Sequence, residues 1–196
     1  MTASANPLRT RRLEQLSFRA PPDGSPFSWT RFLVELYSPR VQGRGAILGP
    51  HGSGKTTFLV ELKRRLEAQR RKVVMLLTNR DGGRRLPREW LAVLRRTDLQ
   101  TLVIADGYDV LGPLARWQLR RMLRPRGGLL VTAHRRCALP ALLNTRTSLP
   151  LLVALADELY APVPDAPRPT DETLSDLFHS CHGNLREVFR RLYAMS

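Results

Sequence analysis

Apolar residues along this chain follow two alternating rhythms. Short, nearly continuous runs occur at Arg44-Gly45-Ala46-Ile47-Leu48, Lys72-Val73-Val74-Met75-Leu76-Leu77, Thr101-Leu102-Val103-Ile104-Ala105 and Leu129-Leu130-Val131-Thr132. Their length and branched composition suit strands buried on both faces. Between them the apolar positions recur at helical spacing. Phe58, Leu59, Leu62 and Leu66 share one face, a short helix follows over Leu86 to Arg95, and an arginine-rich one over Leu114 to Leu123. Gly82-Gly83, Pro125 and Gly127-Gly128 punctuate the changeovers. Strands alternating with helices predict an α/β fold in which a mostly parallel, five-stranded sheet lies between two helix layers.

The flanking segments complete the organisation. Residues 1 to 26 are polar, proline-dotted and carry Arg9, Arg11 and Arg12, and are expected to form a flexible basic arm outside the core. Trp29, Phe32, Leu33, Leu36 and Tyr37 lie on one helical face, with Ser28 as a capping candidate and Pro39 as the stop. Packing against the sheet is the expected use of that aromatic face. Ala138 to Leu143 reads as a short helix, Arg146 to Leu149 as the fifth, edge strand, and Pro150 opens a helix running to Tyr160. The core is thus expected over 27 to 160. Residues 161 to 169, with prolines at 162, 164, 167 and 169, form an extended linker. Residues 170 to 196 hold two amphipathic helices, capped by Thr170 or Asp171 and separated at His182-Gly183-Asn184. So small a helical lid cannot fold alone, so its apolar faces should dock on the core or on the helix of residues 150 to 160.

Composition changes the picture in two respects. Cys137 and Cys181 are the only cysteines, which leaves no disulfide framework and no CxxC metal pair, and points to a reducing, cytoplasmic setting. No apolar run is long enough to span a membrane, and residues 1 to 20 lack the apolar stretch of a secretory signal. The net charge of +15 draws attention to nucleic acid as a partner. Its basic residues, however, are nearly all arginines spread along the chain, with only Lys55, Lys63 and Lys72 as lysines, a bias that a GC-rich genome also produces.

Chemistry concentrates after the first core strand. Gly49-Pro50-His51-Gly52-Ser53-Gly54-Lys55-Thr56 fits the phosphate-binding pattern G-x-x-x-x-G-K-[ST] at every fixed position, and Thr57 continues into the helix. Glycines let successive N–H groups turn toward phosphate oxygens. Lys55 suits the β- and γ-phosphates of ATP, and Thr56 a magnesium ion. The helix N-terminus adds its partial positive charge. Asp106, directly after the third core strand, is positioned to be the magnesium-side carboxylate. Gly107 follows it where many ATPases carry a glutamate. Asp109 is then the nearest carboxylate for water, although it equally suits a helix cap.

These motifs, together with Thr132-Ala133-His134-Arg135 after the fourth strand and Gly183-Asn184-Leu185-Arg186 near the end, resemble the core motifs of AAA+ and related STAND P-loop ATPases over roughly residues 40 to 195. Asp106-Gly107-Tyr108-Asp109 is similar to the second acidic motif of the NACHT branch. The resemblance implies a P-loop NTPase fold, with Thr132 or His134 sensing the γ-phosphate or attacking water and Arg186 bringing the lid onto the nucleotide. It also implies a homo-oligomer in which a neighbour's arginine, with Arg146 as the candidate, completes the site. Val110 stands where a NACHT module continues with glutamate, so slow hydrolysis and switching are expected. Two other functions compete: a DNA-associated, ATP-dependent regulator or loader, motivated by the charge, and a P-loop small-molecule kinase, for which Arg116, Arg120, Arg121 and Arg124 would imitate a basic lid.

Overall fold

A computed structural model describes residues 16, 18–20, 25–78, 84–124, 127–163 and 166–195. Residues 21 to 24 of the expected basic arm, the Gly82-Gly83 changeover, and Arg9, Arg11, Arg12 and Pro125 lie outside these residues. The chain forms two compact units. A sheet unit comprises Ser28–Gly49 and Leu59–Asn144. A helical unit comprises the described residues of Met1–Phe27, Pro50–Phe58 and Thr145–Ser196.

The sheet unit is α/β. Its strands β3 (Arg44–Leu48), β4 (Lys72–Leu77), β5 (Thr101–Asp106), β6 (Gly128–Ala133) and β7 (Ala141–Asn144) lie in the order β4-β5-β6-β3-β7, and all pair in parallel. Parallel neighbours need crossovers, and helices supply them. α1 (Trp29–Leu36) precedes the sheet, and the crossovers from β3 to β6 are α2 (Lys55–Ala68), α3 (Arg88–Arg95) and α4 (Pro113–Leu123). Trp90 and Leu94 of α3 and Ala115, Leu119 and Leu123 of α4 join Ala46, Leu48, Val103, Ala105, Leu129 and Val131 in one apolar cluster. The alternate strand residues Ile47, Leu102, Ile104 and Leu130 face the other way and are buried as well. Both faces of the central strands are therefore covered, as their unbroken apolar runs require. Each such side chain contributes on the order of 1.5–3 kcal/mol by leaving water, which an eight-residue helix such as α3 needs, because its own backbone bonds are marginal.

The aromatic face of α1 is only partly used. Phe32 and Leu36 are buried, while Trp29 lies under the Arg65 guanidinium, 4.7 Å from the ring centre. Ser28 holds the cap position without a side-chain bond.

The fifth strand differs from expectation. Ala138 to Leu143 forms no helix, and Arg146 to Leu149 is not the edge strand; the strand is Ala141–Asn144. Its residues favour a helix by propensity, but the open edge of β3 offers backbone partners that an isolated turn of helix lacks. Ala46 N–H donates to Pro140 O at 2.8 Å, and a register shift between Ala46 and Ile47 accommodates the joint. Ser148 instead caps the next helix, its Oγ accepting from Leu151 N–H at 3.2 Å, and Arg146 is exposed after β7.

The helical unit packs α5 (Leu149–Tyr160), α6 (Asp171–Ser180) and α7 (Leu185–Met195) together. Leu152, Leu155, Ala156 and Leu159 of α5 meet Leu174 of α6 and Leu185, Val188, Phe189 and Leu192 of α7. The C-terminal helices thus dock on α5. Thr170, rather than Asp171, caps α6, its Oγ1 accepting from Thr173 N–H at 3.2 Å. The stretch expected to stay outside the core is partly inside it: Phe18 is buried, next to Phe27 and Phe58 at centroid distances of 5.3 and 4.9 Å. A two-stranded antiparallel hairpin of β1 (Arg19–Ala20) and β2 (Ser25–Pro26) follows it. Edge-to-face ring packing contributes about 0.5–1.5 kcal/mol beyond area burial, which outweighs the polar character of the flanking residues. Both cysteines are free, Cys181 buried and Cys137 half-buried. Among the described residues no helix is long and apolar enough to cross a membrane.

Asp98 ties the starts of two strands. Its carboxylate accepts from Lys72 Nζ at 2.5 Å, Thr101 Oγ1 at 2.6 Å and Gln100 N–H at 3.1 Å. The Lys72 and Thr101 bonds hold its pKa down at about 2 against an ordinary 3.8. A depressed carboxylate stabilises the fold above its unfolded pKa and loses that contribution as pH falls through the folded value. Asp98→Asn should therefore lower Tm at pH 6, and the gap from the parent should close between pH 4 and pH 2; a gap that stays constant over a pH series would exclude this role.

Candidate functional site

The glycine-rich segment Gly49–Thr56 begins where β3 ends. Gly49 N–H donates to Ala133 O at 3.1 Å, extending the β3–β6 ladder by one residue, and α2 starts at Lys55. In the helical unit the loop closes on itself. Ser53 Oγ donates to Pro50 O at 2.8 Å and lies 2.6 Å from Thr145 Oγ1, while Lys55 Nζ donates to the same carbonyl at 2.7 Å. The Lys55 side chain is held within the loop, with only 9% of the residue exposed. Thr56 and Thr57 are half-buried on the first turn of α2, which carries no acidic residue, and His51 is exposed. A helix start with a lysine and no carboxylate favours an anion.

Gly52 has a left-handed backbone, φ 70°, and Gly54 has φ 82°. At Gly52 the need for glycine is doubled: a Cβ would stand 1.9 Å from Asn184 Oδ1 and 3.0 Å from Leu185 N. The loop is therefore in direct contact with the residues that start α7. Arg186, the next residue on that helix, is exposed.

A second group gathers at the carboxyl edge of the sheet unit. Asp106 ends β5, and its Oδ1 accepts from Thr132 Oγ1 of β6. Thr132 Oγ1 also accepts from Gly107 N–H at 2.8 Å, so the buried hydroxyl is satisfied both ways and holds the carboxylate in one orientation. Gly107 explains the missing glutamate. Its φ of 81° is strained for any side chain, and a Cβ there would meet Thr78 Cβ at 3.2 Å.

The left-handed residue turns the chain into a 3-10 turn, Tyr108–Val110, which Arg116 fastens through Asp109 O and Leu111 O, both at 2.7 Å. Asp109 consequently reaches back to the sheet rather than capping α4. Its Oδ2 accepts from His134 N–H at 3.0 Å and lies 3.7 Å from His134 Nε2. His134 Nδ1 is 3.1 Å from Gly49 O, a bond that requires the proton on Nδ1. Asp106 and Thr132 are thus brought together, as are Asp109, His134 and the carbonyl of Gly49.

Three contributors were not visible as site residues in the sequence. Thr78, whose N–H donates to Asp106 O at 3.0 Å, has a buried Oγ1 with no hydrogen-bond partner. It is the polar residue directly after an apolar strand, which is the signal that also marks Asp106. Asn184 stood in the sequence only as part of the Gly183–Arg186 motif and a helix break, and its approach to Gly52 comes from folding; Thr145 touches the loop with no local pattern to announce it.

Gly52→Ala should cost about 1–3 kcal/mol through left-handed strain and collision with Asn184. Adding Asn184→Ala should recover part of the loss in a urea-unfolding double-mutant cycle; additive effects would mean that the two residues do not meet. A comparison of the chain with protein-family models and with curated proteins gave no match to either.

Proposed function

We propose that this chain binds Mg-ATP through the Gly49–Thr57 segment and works as a slowly hydrolysing P-loop switch of AAA+/STAND type. The observation that carries the reading is the loop itself. Its fixed sequence positions stand between a strand of a parallel sheet and a helix, with Gly52 and Gly54 in the left-handed conformation that turns backbone N–H groups toward an anion. Lys55 is the charged donor, already held at the loop through Pro50 O. In this reading Thr56 and Asp106 are the magnesium residues. Asp106 is suited by its fixed orientation on Thr132, and the orphaned Thr78 hydroxyl beside Gly107 suits a coordinated water. Among the described residues no group of three or more His, Cys, Asp or Glu side chains could hold a metal alone, so a magnesium ion here depends on the phosphates it accompanies.

The switching part rests on two features. Gly107 replaces the water-activating glutamate, and Asp109 spends one oxygen on the His134 N–H, which leaves only the other for a water. The start of α7 touches Gly52, so a ligand that reshapes the loop changes the footing of Arg186 and of the helical tail.

Calorimetry with ATP and magnesium tests the reading. A folded Lys55→Ala variant should bind about 10- to 100-fold more weakly, the loss of one charge-assisted hydrogen bond. Asp106→Asn should keep magnesium-free binding and lose the gain from magnesium. Unchanged affinity in Lys55→Ala would overturn the assignment.

A further inference from the structure

At the opposite edge of the same sheet, where the strands begin, the sheet unit has a cleft of about 570 Å³. Arg44, Arg70, Arg71, Lys72 and Arg124 line it together with Tyr37. The topology concentrates them there: α2 and α4 end at this edge, and β3 and β4 start from it.

Much of that charge has no local counterweight. Asp98 pairs with Lys72, and Arg44 donates through Nη2 to Leu123 O at the end of α4 and to Gly127 O just before β6. Asp98 and two helix ends, each equivalent to about half a negative charge, offset only about two of the five positive charges. The arginines also repel one another: burial first and then Arg124 hold the Arg44 guanidinium below its ordinary pKa. Like charges so gathered are relieved by an anion.

Two further observations point to a ligand. Among the described residues only Gln42, Arg70 and His182 combine a side chain with a left-handed backbone, and the first two, with φ of 51° and 60°, both line this cleft. Such strain persists where something else favours the residue. Arg70 occupies the position after a helix where glycine is usual, and so places a guanidinium on the rim. Arg71 is braced, its guanidinium 4.3 Å from the centre of the Tyr37 ring, which leaves less side-chain freedom to lose on binding.

We propose that this cleft is a binding site for consecutive phosphates, of the kind that a nucleic-acid backbone presents. Guanidinium forks match phosphate oxygens in pairs, and a row of several such forks suits consecutive phosphates. The site lies wholly within the sheet unit and does not depend on the nucleotide reading of the loop.

The experiment measures fluorescence anisotropy of a labelled 12-nucleotide oligo-dT over a salt series, with unlabelled tripolyphosphate binding measured by calorimetry in parallel. Arg70→Glu/Arg124→Glu is compared with the charge-matched control Arg85→Glu/Arg95→Glu, whose positions line a different groove. Circular dichroism verifies folding, and Arg70→Gln/Arg124→Gln serves if the reversal unfolds the protein. The cleft pair should weaken binding at least about tenfold and reduce the slope of log K against log salt by about two, the control by less than about threefold. Oligonucleotide binding with this pattern identifies the backbone as the source, and tripolyphosphate binding alone identifies a free polyphosphate; both support the site. Equal losses in the two pairs, or no binding of either probe, would overturn it.

Discussion

Parallel pairing of β5, β6 and β3 is the constraint to which the rest of the sheet unit answers. Parallel strands must all be entered from one edge and left at the other, so every connection crosses a face, and both faces must be apolar. Val103, Ala105, Leu129, Val131 and Ala46 on one side, and Leu102, Ile104, Leu130 and Ile47 on the other, meet that demand and are all buried. The same constraint sorts the polar groups. Residues that leave the strands collect at the carboxyl edge, where Thr132 bonds Asp106 and His134 bonds Asp109. Residues that enter them collect at the amino edge, where Arg44 and Lys72 begin their strands.

The two edges therefore have opposite chemistry for one topological reason. At the carboxyl edge Asp106 and Asp109 each accept from a hydroxyl or backbone donor, which fixes their orientation. At the amino edge the guanidinium groups outnumber the acceptors. Net charge alone would have attributed the basicity of this chain to its surface as a whole; the fold gathers part of it into a cleft.

In the helical unit the decisive contact is the absence of a side chain at Gly52. That space admits Asn184, and with it the start of α7, to the loop. Ser53 and Thr145 join a second part of the unit to the same loop through a buried hydroxyl pair. The loop is thus gripped by segments from distant parts of the chain, and a change in its backbone has few ways to remain local.

Sequence by itself determined the strands β3 to β6, the helices between them and the loop pattern, because each is written in residues that are neighbours: an apolar run, a helical repeat, glycines at fixed spacing. It also identified Asp106 and Thr132 as strand-end polar residues. Tertiary structure decided what depends on partners far along the chain. Ala141–Asn144 became the fifth strand because β3 had an open edge, against the helical preference of its residues. Phe18 entered a core because Phe27 and Phe58 offered their rings. Asp109 turned toward His134, and not to the helix after it, because left-handed Gly107 and the Arg116 tether aimed it there. Local pattern encodes periodicity and conformation, whereas which polar group meets which is a property of packing, and only the folded chain brings those groups within a hydrogen bond of one another.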